Sequence, residues 1–112
     1  MVLKLHKNLD QTSWSRYPAC KRIIMIVNEL QRASNCIEHN DLAAFRECYE
    51  RAFELIDLEI SNRRNHSALR EMFRLREIMG ETYLSDAPNI ETNRMFLSAV
   101  LSFDVTAYNM LS

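Results

Sequence analysis

The chain contains one glycine, Gly80, and two prolines, Pro18 and Pro88. Glycine is the residue that enters positive-φ backbone conformations without a steric cost. A single copy cannot supply the glycine pairs of a dinucleotide-binding turn or phosphate loop, nor the repeated turns of many hairpins. Dinucleotide folds, P-loop enzymes and hairpin-rich barrels are therefore disfavoured, which leaves a mostly helical domain. With 112 residues, 47% of them hydrophobic, one core is attainable; at this size roughly two thirds of the unfolded surface can be buried. The rare residues act as punctuation. Pro18 and Pro88 stand where the first and last helical patterns open, and Gly80 falls late in the third, as a close helix crossing or an early helix end.

Four segments carry apolar residues at spacings of three and four, the signature of amphipathic helices. The first runs from about Pro18 to Ile37 through Ile23, Val27, Leu30 and Ala33. A polar turn at 35–40 follows, and Asn40 or Asp41 can cap a second helix by accepting from its free amides. That helix shows Phe45, Tyr49, Ala52, Ile56 and Ile60 on one face. Residues 61–67 interrupt the pattern, and Asn65 or Ser67 can start a third helix extending to about Tyr83. The last is expected as one helix over about Asn89–Met110, with Phe96, Val100 and Phe103 on its main stripe. Met95, Leu101, Val105 and Tyr108 make it apolar almost all round, which suits a central helix or one in an oligomer interface. Asp104 interrupts it as a surface break, the preferred reading, as an arginine partner or as a charge at a helix interface.

Helices of this length joined by short connections point to an all-α fold, an antiparallel bundle of about four helices over residues 18–112. Residues 1–17 form an N-terminal arm carrying Val2, Leu3, Leu5, Leu9, Trp14 and Tyr17. It is expected to fold back over the bundle, the alternative being reach across to a second chain. The stretch NCIEHNDLAAFRECYERA, residues 35–52, resembles the helix-turn-helix hairpins of tetratricopeptide proteins and flagellar secretion chaperones. The resemblance implies a close helical hairpin; no 34-residue repeat period follows, so it assigns no functional residues.

Catalytic and metal motifs are missing from the sequence. A di-metal carboxylate bundle uses Glu-x-x-His motifs, and no glutamate here has a histidine three residues later. His6, His39 and His66 fall in the arm and turns and share no helical face with a second ligand. Cys20, Cys36 and Cys48 lack CxxC spacing and read as reduced, buried thiols, with Cys36 the most exposed. Glu47, Glu50, Glu54 and Asp57 make a row on the second helix that reads as a solvated face. No enzymatic activity, cofactor or metal is expected. With no signal-peptide pattern and no apolar run long enough to span a bilayer, the expected location is the cytoplasm.

Charge is segregated although the total is only −1. Residues 1–32 carry +4, 33–60 carry −5, 61–76 carry +4 and 77–112 carry −4. Alternation of this kind can serve packing between neighbouring helices, or it can leave a basic patch over Arg63–Arg76. Six methionines, including Met25, Met72, Met79, Met95 and Met110, provide adaptable apolar surface. The expected function is that of a small non-enzymatic regulator or adaptor which binds and occludes a partner protein, in the manner of an anti-activator or secretion chaperone. A homodimer is the expected state. Candidate partner-binding residues are Trp14 and Tyr17 in the arm, Arg63, Arg64, Arg70 and Arg74 in the basic segment, and Phe96, Val100 and Phe103 on the last helix. The alternative is a nucleic-acid-binding regulator using residues 63–76, disfavoured by acidic neighbouring helices that would repel a polyanion.

Overall fold

In the computed structural model, residues 9–63 and 65–111 are described, and the regular structure among them is entirely helical. The apolar arm positions Val2, Leu3 and Leu5, together with His6 and Arg64, lie outside the described residues. The helices are α1 (Gln11–Arg16), α2 (Ala19–Glu38), α3 (Leu42–Asn62), α4 (His66–Tyr83), α5 (Ile90–Leu101) and α6 (Val105–Leu111).

Local chemistry fixes most boundaries. Asp10, Asp41, Asn65 and Asn89 each cap a helix by accepting from amides of its first turn, satisfying donors that have no helical partner. Ser13 returns the bond to the Asp10 amide, completing a reciprocal cap on α1. The Ser13 amide also holds the Asp10 carboxyl below the usual carboxylate range. Helix α2 closes on Asn40, whose φ of 55° is left-handed. The amides of Asn40 and Asp41 donate back to the Ile37 and Cys36 carbonyls at 3.1 and 2.9 Å, a C-terminal arrangement that Asn tolerates better than most side chains.

Two expectations are corrected here. Gly80 is neither a helix crossing nor an early stop, because α4 continues to Tyr83 and a Cβ built on Gly80 meets nothing within 4 Å. The single last helix divides in two at 102–104. At the break the amides of Phe103 and Asp104 turn back to Val100 and Leu101, and Asp104 Oδ2 accepts from the Ala107 amide at 2.9 Å. A short carboxylate that can cap a new helix competes with continuation of the old one. Asp104 is thus a break with a cap built into it.

Helix α2 takes the central place expected of the last helix, packing against α3, α5 and α6, while α3 also supports α1 and α4. Ile23, Ile26, Leu30, Phe45, Leu55, Ile56 and Leu58 are completely or almost completely buried along the α2/α3 seam. Each such side chain contributes about 1.5–3 kcal/mol from removal of apolar surface from water. Helix α1, from the segment read as an arm, folds back and adds Trp14 to the same core. The radius of gyration is 13.4 Å, near the value of about 13 Å for a compact chain of this length.

Candidate protein-docking face

The deepest charge in the molecule is Glu59, 0% exposed on α3. Its Oε1 accepts from Trp14 Nε1 at 3.0 Å and Arg22 Nε at 2.8 Å, and its Oε2 accepts from Arg63 Nε at 2.8 Å. Arg22 also donates to the Tyr17 carbonyl at 2.6 Å and Arg63 to the Phe103 carbonyl at 3.4 Å. One carboxylate therefore ties α1, α2 and the end of α3 together, while Arg63 adds the α5–α6 break. Buried ions persist when they are paired and their remaining valences are bonded, and both conditions hold. This cluster places Trp14 in the chain's own core instead of on a binding surface, and turns Arg63 inward. Tyr17 is half-buried, lies edge-on to Trp14 and stacks beneath Lys21 Nζ at 4.3 Å.

A second buried polar group, Asn93 of α5, is fully used. Its Oδ1 accepts from Tyr49 Oη at 2.6 Å, and its Nδ2 donates to the Leu30 carbonyl at 2.9 Å and to Ser34 Oγ at 2.7 Å. Burial pushes the Tyr49 hydroxyl far above its ordinary pKa, so it remains a donor. Glu29, buried on α2, accepts from Arg32 and Arg51, each at 2.9 Å. Among the described residues no buried side-chain nitrogen or oxygen lacks a partner. Glu29, Glu59 and Asn93 were missed by reading stripes as purely apolar. Their register carried the signal: Glu29 lies three after Ile26, Glu59 three after Ile56, and Asn93 three before Phe96.

The basic segment does not act as one patch. Arg63 is held by Glu59, and Arg76 makes a bidentate pair with Asp57 at 2.6 and 3.0 Å while lying over the Phe53 ring. Arg74 sits 3.5 Å from Glu71 on the surface, and Arg70 is exposed. The acidic row is likewise not all solvated face, since Asp57 binds Arg76 and Glu50 accepts from Tyr83 Oη at 2.7 Å. That bond raises the pKa of the Tyr83 hydroxyl. Of the last-helix candidates, Phe96 and Val100 are buried in the core. Phe103 is partly exposed beneath the Arg63 guanidinium.

Among the concavities of the surface, one lies between α4 and α5, two helices that meet only lightly. A groove of about 300 Å³ lies there, lined by Glu71, Arg74, Leu75, Ile78, Ala99, Ser102 and Phe103. It continues through Ala99 and Ser102 into a shallow depression bordered by Glu91, Arg94, Met95 and Ser98. Leu75 is its buried lining residue, Ala99 and Ser102 are small, and Ile78 and Met95 are 43% and 70% exposed. Arg74 and Leu75 in the middle of α4 line the groove with Ser102 and Phe103 just past the end of α5, and the 84–89 turn joins the helices at the other end. Exposed apolar side chains continue along α6 in Val105, Tyr108, Met110 and Leu111. Exposed apolar surface rimmed by polar residues is a general mark of an interaction or ligand-binding site.

Cys48 is buried, and burial together with the neighbouring Cys36 pushes its pKa up to about 11, which disfavours the nucleophilic thiolate. Cys20 and Cys36 are half-buried, and Cys20 touches Met110 Sδ at 3.7 Å, holding α6 on α2. Among the described residues no group of three His, Cys, Asp or Glu side chains is placed to hold a metal ion, and no helix is long and apolar enough to cross a membrane. The chain matches no protein-family model, no curated protein and no solved structure.

Proposed function

We propose that this chain is a non-enzymatic helical adaptor or regulator that acts by burying the α4/α5 face against a partner protein and occluding the partner's matching surface. The observation that carries the reading is the groove between α4 and α5 with its adjoining depression, where Ile78 and Met95 remain exposed beside Leu75, Ala99 and Ser102. The exposed apolar side chains give a partner helix area to bury, and the small side chains of Ala99 and Ser102 leave room for it. Within this reading Arg74 and Glu71 orient the partner at the rim, where charge acts more on encounter and register than on affinity. Occlusion of this kind is how anti-activators and secretion chaperones work, and the site favours neither over the other.

Among the described residues, the competing reading, a nucleic-acid-binding regulator using residues 63–76, has Arg70 and Arg74 as exposed cations, while Arg63 and Arg76 are engaged by Glu59 and Asp57. Replacement of Ile78 by a photo-crosslinking residue in the producing cells tests the choice. The expected result is a discrete protein adduct at Ile78, lost when Met95→Asp is added. A probe that yields no protein adduct at any expression level overturns the docking reading.

A further inference from the structure

We propose that Cys36 and Cys48 form an oxidisable thiol pair, in which Cys36 takes oxygen from hydrogen peroxide and Cys48 then closes a disulfide across the α2/α3 hairpin. The pair lies apart from the α4/α5 face and does not depend on the docking reading. The two thiols adjoin, and the register of the hairpin explains why. Helices α2 and α3 run antiparallel through the short 39–41 connection, and the bond from Arg51 to Glu29 at 2.9 Å sets which residues lie level. That register puts Cys48 about one helical turn further from the connection than Cys36. Each Cα–Cβ bond leans toward the N-terminus of its own helix, so Cys36 leans away from the connection and Cys48 toward it, and the two side chains converge. Ala33, one turn before Cys36, and Ala52, one turn after Cys48, are fully buried. Small side chains on both helices let the backbones approach as a disulfide, with Cα atoms about 4.4–6.8 Å apart, requires.

Exposure orders the chemistry. Cys36 is half-buried and lines a cavity of about 260 Å³ beside Asn40, Phe45 and Pro88, whereas Cys48 is 3% exposed. Cys36, as its thiolate, attacks one oxygen of the peroxide; the O–O bond breaks, the other oxygen leaves as water, and Cys36 becomes a sulfenic acid. The Cys48 sulfur then attacks the Cys36 sulfur, the S–O bond breaks, and hydroxide leaves as water with the Cys48 proton. The two thiols thereby give up two electrons, and the peroxide is reduced to two waters. Burial keeps Cys48 protonated at neutral pH, and Arg51 Nη2, 3.4 Å from its sulfur, supplies the positive charge that favours the thiolate during the second step. Cys20 is a built-in reference, because it lies about 24 Å from Cys36 along α2 by the helical rise and rests against Met110.

Treating the reduced wild-type chain with excess hydrogen peroxide and mapping its peptides by mass spectrometry without reductant tests the proposal. The expected product joins the Cys36 and Cys48 peptides at a mass lower by two hydrogens, with Cys20 outside the intramolecular link. In Cys48→Ala, checked for folding by far-UV circular dichroism, the Cys36 sulfenic acid has no resolving thiol and is expected to accumulate as its dimedone adduct well above the wild-type level. In Cys36→Ala, Cys48 is expected to remain a thiol under the same exposure. A wild-type chain that stays reduced, that carries Cys36 as sulfinic acid with no link to Cys48, or whose main intramolecular disulfide includes Cys20 overturns the pairing. A Cys48 thiol consumed as fast in Cys36→Ala as in the wild type overturns the order of attack.

Discussion

The two sides of this small protein solve the burial of polar groups in opposite ways. Around α2 and α3, charged and polar side chains are taken fully inside, and each is matched: Glu59 by Trp14, Arg22 and Arg63, Glu29 by Arg32 and Arg51. On α4 and α5 no charged side chain is buried, the two helices touch only lightly, and Ile78 and Met95 face solvent. The first region holds the molecule together at the expense of several required pairings. The inner sides of α4 and α5 belong to the core through Met72, Met79, Phe96 and Val100; only their outward faces around Ile78 and Met95 add little to cohesion.

Substitutions sharpen that contrast in descending order of effect. Glu59→Gln leaves two partly buried guanidinium groups facing a neutral amide, and is expected to lower stability by about 3–5 kcal/mol, as loss of one partner from a buried ion pair does. Urea unfolding followed by the fluorescence of Trp14, the sole tryptophan, measures it. Asn93→Leu is expected to remove about 2–3 kcal/mol, because it leaves the buried Tyr49 hydroxyl without its acceptor and takes away the second bond on the Leu30 carbonyl. Gly80→Ala should work in the opposite direction, raising stability by about 0.5–1 kcal/mol, since α4 continues through that position and space is open around it. Ile78→Asp and Met95→Asp are expected to change the monomer's stability by less than about 0.5 kcal/mol, read in the same unfolding curves. If either proves as damaging as Glu59→Gln, the groove belongs to the core and the contrast collapses.

The thiols add a milder check. With the Cys48 pKa raised to about 11 from an ordinary value of 9.0, the unfolded chain ionises this thiol first. Its contribution to stability is complete below about pH 9 and declines as pH rises from there through about 11. Alkylation of the native protein near neutral pH, mapped by mass spectrometry, should modify Cys48 last.

Helix boundaries were legible because they depend on short-range chemistry. Asp41, Asn65 and Asn89 cap the helices whose starts they mark in the sequence, and the apolar spacing of α2 and α3 locates the core seam. Relations between distant segments were not legible. Nothing near Trp14 announces a carboxylate 45 residues later, and nothing near Arg76 announces Asp57. The charge blocks hinted that basic and acidic segments would meet, yet the same counts also suggested a basic surface, and only the rotation of each arginine about its helix decides between them. The division at Asp104 escaped because the apolar stripe runs on past it; a single capping bond outweighed the pattern. The groove was invisible for a related reason. It is a property of how far α4 stands from α5, and spacing within one helix says nothing of distance to the next.

Asn93 has a consequence for how the groove works. It bolts α5 from behind to α2 and α3 through buried bonds to Leu30, Ser34 and Tyr49, whereas α4 is steadied by Arg76 and Tyr83 at its more accessible edges. Under the docking proposal, a partner meets on the α5 side a shape that is set in advance, at little entropic cost on binding. Enlarging Ala99 is then expected to weaken docking more than enlarging Ile78, which is 43% exposed.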